Sequence, residues 1–135
     1  MRNKLAVVSL LLLVSGSAAV GAQSPLQVRI ANPRNASLVG HREEVSGTVS
    51  DPNISVWLVI HPLDTSDFWI QTPITVRDDG TWKVIPYFGR SPSQDVGAKF
   101  EVRAFARPNT ALKEGRATAW PEAAARSNVI EVVRK

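Results

Sequence analysis

From residue 26 onward the chain is a series of short runs in which apolar and polar positions alternate, separated by turn residues. Period-two alternation of this kind marks strands with one face buried. Leu26, Val28 and Ile30 alternate with Gln27 and Arg29, predicting a strand over residues 26–30. Val45, Gly47 and Val49 alternate with Ser46, Thr48 and Ser50, predicting a second. Asp51-Pro52-Asn53 then reads as a turn, because proline presets φ and Asp and Asn bond their own backbone. Residues 54–60 are apolar at both parities, the pattern of a central strand covered on both faces, and Pro62 ends it. Residues 74–77 predict a fourth strand, and Asp78-Asp79-Gly80 a hairpin turn whose glycine supplies positive φ. Residues 81–88 follow, with Trp82, Val84 and Pro86 on one face. Residues 99–107 give the clearest pattern: Phe100, Val102, Ala104 and Ala106 alternate with Glu101, Arg103, Phe105 and Arg107. Residues 128–134 close the chain with Val129, Ile130 and Val132. Seven such strands without a long amphipathic helix predict an all-β sandwich. One short helix at most is expected, over residues 121–126, where Pro121 suits a first helical position and Glu122 and three alanines follow.

The first residues have a different character. Arg2 and Lys4 precede an apolar stretch over residues 5–14, and small residues lead to Val20-Gly21-Ala22. This is the pattern of a secretory signal peptide, and cleavage is expected after Ala22. The apolar stretch is shorter than the roughly 20 residues of a spanning helix, so no membrane insertion is expected after cleavage. Residues 23–135 then form one domain, exported to the periplasm or beyond the cell. Two of the basic residues leave with the signal, and the rest are interleaved with acids, as in Arg42-Glu43-Glu44. A nucleic-acid partner is therefore not expected, despite the net charge of +4. The chain has no Cys, so an exported fold of this sequence relies on packing and not on disulfides.

Little in the sequence points to catalysis. His41 and His61 are the only histidines, no Gly-x-Ser-x-Gly elbow holds a serine, and no phosphate-cradling glycine loop is present. His41, in Gly40-His41-Arg42, reads as a surface residue, and His61 as a ring bonded to a loop carbonyl. Two isolated histidines without Cys do not make a zinc site, and both aspartate-rich stretches read as turns before calcium ligands. No cofactor, no metal and no enzymatic activity are expected.

The segments Val45-Ser-Gly-Thr-Val49, Ile54-Ser-Val-Trp-Leu-Val59, Asp79-Gly-Thr-Trp-Lys-Val84, Phe100-Glu-Val-Arg-Ala104 and Ser127-Asn-Val-Ile-Glu-Val132 span nearly all of residues 23–135. In this order they resemble bacterial immunoglobulin-like repeat domains. The resemblance implies an immunoglobulin-like sandwich in an exported protein, with Trp57 as its core tryptophan beside Val102 and Trp82 capping the core. Two inserts, residues 61–73 and 108–126, are longer and richer in aromatic residues and proline than plain connections need.

Function on such a scaffold resides in its loops. His61, Trp69, Tyr87, Phe88, Arg90 and Trp120 fall at strand ends or in long connections and are the candidate binding residues. Because successive connections alternate between the two ends of a sandwich, the first five are expected to gather at one end and Trp120 at the other. Flat rings beside an arginine suit a carbohydrate or a partner protein, so a non-catalytic binding or adhesion module is the leading expectation. The alternative is a secreted inhibitor of another protein such as a protease. Pro62-Leu-Asp-Thr65 followed by Trp69 is similar to the inhibitory loop of small immunoglobulin-like inhibitors of papain-type proteases, though the asparagine and glycine of that loop are missing.

Overall fold

The computed structural model describes residues 25–135, and the signal segment predicted over residues 1–22 lies outside the described residues. Ten strands follow in chain order: β1 (Val28–Asn32), β2 (Ser37–Val39), β3 (Val45–Val49), β4 (Val56–Pro62), β5 (Phe68–Ile70), β6 (Thr81–Val84), β7 (Lys99–Pro108), β8 (Gly115–Ala117), β9 (Ala123–Arg126) and β10 (Ile130–Arg134). They form two sheets around a shared core, an all-β sandwich. The small sheet has the order β1-β3-β6 and the large one β2-β10-β7-β4-β5-β8, with β9 also on β7. β9 and β10 lie end to end along the edge of β7 that β4 leaves free. This layout is compatible with an immunoglobulin-like sandwich.

The expected strands are present with shifted ends, except at residues 74–77. There only Ile74 meets a neighbour, in a single bridge to Val56. The chain then enters the predicted turn, where Gly80 has φ 83° and the amide of Arg77 donates to the carbonyl of Thr81 at 2.9 Å. Three of the additional strands, β2, β5 and β8, have three residues each, too few for alternation to register.

Residues 121–126 contain no helix; Ala123–Arg126 is strand β9. Its Ala125 lies opposite Ala106 and is buried, while Ala124 and Arg126 are exposed. The helical preference of three alanines amounts to well under a kcal/mol per residue, and a helix of one turn is marginal in water. Pairing with β7 satisfies the same backbone and adds a buried face.

The core lies between the sheets. Val56, Leu58 and Ile60 of β4 meet Val102, Ala104 and Ala106 of β7, with Val45, Val49 and Trp82 contributed by the small sheet. Each fully buried Val, Leu or Ile of this set contributes roughly 1.5–3 kcal/mol. Trp57 is not among them. It pairs with Phe105 across the β4–β7 ladder, whereas Val102 pairs with Ile60, so Trp57 and Val102 point to opposite faces. The tryptophan of the inter-sheet core is Trp82, 2% exposed. The outer face of β4 is covered as its pattern predicts, by a second cluster of Val59, Ile70 and Phe105 under Trp57, Phe68, Leu112 and Trp120.

Candidate functional site

The site begins with a register. Trp69 of β5 is the cross-strand partner of Ile60, so both side chains point to the inner face of the large sheet. Ile60 is buried in the core; Trp69 is 42% exposed. Residues of the β6–β7 connection, and none of the small sheet, line the space over Trp69. A cleft of about 720 Å³ results, within the size range of ligand sites. Ile60 and Phe100 belong to its apolar lining, and Trp69 and Tyr87 contribute aromatic faces. Thr65, Asp64 and Asp67 come from the β4–β5 turn, Arg90 and Asp95 from the opposite wall, and Glu114 from the approach to β8.

The opposite wall owes its shape to a buried cation. Ile130, Val132 and Arg134 alternate along β10, which turns the Arg134 side chain inward, where it is 2% exposed. Its guanidinium donates to the carbonyl oxygens of Phe88, of Ser91 at 3.3 Å and of Pro92 at 2.8 Å. The two terminal nitrogens of a planar guanidinium present donors at fixed, separate positions, whereas an ammonium would have to serve the same carbonyls from a single nitrogen. Gly89 sits against this fork with φ 91°, and a Cβ there would lie 2.9 Å from Arg134 Nη1. Only glycine fits both the backbone angle and the space.

Farther along the same wall, Arg90 closes a ring with Asp95. Its Nη2 donates to Oδ1 at 2.9 Å, and its Nε and backbone amide donate to Oδ2 at 3.2 and 2.8 Å. The hydrogen bond from the Arg90 guanidinium, then that from the Arg90 amide, hold the Asp95 carboxyl below its ordinary value. The same hydrogen bond raises the guanidinium of Arg90 above its own. Tyr87 is exposed, with the guanidinium carbon of Arg42 4.8 Å from its ring centroid.

The six expected residues divide among three places. Trp69, Tyr87 and Arg90 come together in the cleft. Phe88 is fully buried in the core, its ring edge-on to Phe100 at 5.7 Å, so it has no surface to offer a partner. His61 and Trp120 are neighbours on the outer face, 6.1 Å apart, which corrects the expectation that opposite ends hold them. His61 pairs with Glu101 at the parity of Trp57 and Val59, and its ring stacks on Phe68 at 4.0 Å. Its Nδ1 lies 2.8 Å from the carbonyl oxygen of Asp67, the loop contact expected of it. Trp120 packs edge-on to Phe68 at 4.9 Å and fastens the long insert to the sheet.

The sequence reading missed the carboxylates. Asp64, Asp67, Asp95 and Glu114 line the cleft from three separate segments. The spacing of Arg90 and Asp95 around Ser91-Pro92 was the one available hint of a loop closed on itself. Among the described residues, no three His, Cys, Asp or Glu side chains converge as metal ligands, and no helix is long and apolar enough to cross a membrane. No protein family, curated protein or solved structure matches the chain.

Proposed function

We propose that this chain is an exported, non-catalytic binding module on an immunoglobulin-like scaffold, and that the cleft between β5 and the β6–β7 connection holds its ligand. The observation that carries this reading is Trp69, a large ring left exposed on the inner face of a sheet whose neighbouring positions are core. Exposing a ring at such a position forgoes hydrophobic stabilisation, and a partner that covers it recovers that contribution. Gln71, Thr65 and the carboxylates supply directional hydrogen bonds around it. A binding role is also consistent with the chemistry of the walls. Neither histidine lines the cleft, and Arg90 is engaged by Asp95.

A panel of immobilised oligosaccharides and peptides tests the reading. Wild type is expected to be retained by a subset, Trp69→Ala to lose that retention with its far-ultraviolet spectrum unchanged, and Trp120→Ala to keep it. Retention that survives Trp69→Ala and disappears with Trp120→Ala places recognition on the outer face instead. Export has its own check: the secreted protein should have the intact mass of a chain beginning at Gln23.

A further inference from the structure

The charge of the cleft runs against that of the chain. The protein has 16 Lys and Arg against 12 Asp and Glu. The cleft lining holds four carboxylates and a single guanidinium, that of Arg90, and Arg90 is already paired with Asp95. Asp67 pairs with a different cation, Arg116, at 3.8 Å. Asp64 and Glu114 form no ion pair among the described residues, and both are exposed. They stand on opposite approaches to Trp69, one on the β4–β5 turn and the other before β8.

We infer that the cleft accepts a lysine or arginine side chain carried by an extended peptide segment of a partner protein; the inference rests on the cleft being the binding site. A long side chain entering from the β8 edge meets the ring of Trp69 first. Its aliphatic stem packs on that ring, and its charged head lies among the carboxylates of Asp64, Asp67 and Glu114. The nearby Tyr87 ring already has a guanidinium over it, that of Arg42, so this wall accommodates such stacking. A peptide is favoured over a free amine or a sugar because β8, the last strand of the large sheet, borders the cleft. Gly115, the first residue of β8, lines the cleft, and the far side of that strand presents backbone groups without a ladder partner. An extended segment can pair with such an edge while one of its side chains enters beside it.

Fluorescence anisotropy with labelled hexapeptides tests the inference on residues 23–135. One peptide has a single lysine among small neutral residues, a second has acetyl-lysine there, and a third has glutamate. The lysine peptide is expected to bind, and the other two to bind roughly tenfold more weakly or worse, the scale of one lost charged contact. Asp64→Asn combined with Glu114→Gln, both isosteric changes on exposed positions, should bring the lysine peptide down to the level of the acetylated one. Trp69→Ala should abolish its binding. No preference for lysine, together with a neutral oligosaccharide whose binding Trp69→Ala removes, overturns the inference and leaves the cleft as the site. Lysine-peptide binding that is indifferent to Trp69→Ala overturns both.

Discussion

Trp69 and Ile60 face each other across the β4–β5 ladder, yet one is 42% exposed and the other 3%. The large sheet extends beyond the part that the small sheet covers, and the uncovered strip is where the aromatic and acidic groups collect. Concavity here follows from unequal sheet widths.

Trp57 of β4 and Trp82 of β6 should differ in their importance to stability. Trp82 fills the inter-sheet core, and its truncation leaves a cavity, which typically costs about 3–5 kcal/mol for Trp82→Ala. Trp57 is half-buried on the outer face and should cost less on truncation. Urea denaturation of the two alanine variants checks the order, and a larger loss for Trp57→Ala would contradict the assignment of faces.

The cleft wall should depend on Arg134. Arg134→Met keeps an apolar stem of similar reach and removes the donors to the carbonyls of Phe88, Ser91 and Pro92. Leaving buried carbonyls unpartnered costs roughly 1–3 kcal/mol each, less where water can enter. Arg134→Lys should restore little, since one ammonium cannot reproduce the fork. Hydrogen exchange checks the result: amides such as Gly97 and Ala98, which are bonded within or beside this connection, should lose protection in both variants ahead of amides in β4 and β7.

Acid should loosen the same wall by another route. The Asp95 carboxyl is held below its ordinary 3.8 chiefly by the Arg90 guanidinium. A carboxyl whose folded value is depressed contributes stability that is complete above its unfolded value and lost as pH falls through the folded one. The contribution is therefore present at neutral pH and disappears in acid, below the ordinary carboxylate range. The Nε resonance of Arg90, followed from neutral pH down to about 2, should report the release. Asp95→Asn should remove that step. Asp79, held low by its hydrogen bond from Thr81, titrates in the same direction at a different turn, so the readout has to be local to Arg90.

Much of the fold was legible because alternation is a direct imprint of one buried face. The alternation over residues 45–50 identifies β3, one residue longer than the strand itself, and the long alternation from Lys99 identifies β7. The facing of β4 was not legible, for a physical reason. Both of its parities are apolar because both of its faces are covered, so nothing in the order of residues distinguishes Trp57 from Leu58. The alanines of β9 misled because local preference was weaker than the free edge of β7. Of the candidate residues, Trp69, Tyr87 and Arg90, chosen for their positions at strand ends and in long connections, line the cleft. Phe88 was misread because, beside an exposed Tyr87, nothing local shows which ring turns inward. Arg134 was not singled out, because its parity with Ile130 and Val132 gives its inward course but not the carbonyls of residues 88–92 that receive it.

The most direct test of the cleft as the recognition surface is a titration followed through the indole N–H resonances of Trp57, Trp69, Trp82 and Trp120. The lysine hexapeptide and a neutral oligosaccharide serve in turn as probes, and whichever binds is the informative one. The Trp69 resonance should shift in step with saturation, while Trp57, Trp82 and Trp120 stay in place. A saturating shift of Trp120 with Trp69 unmoved would contradict the account and assign recognition to the outer aromatic cluster.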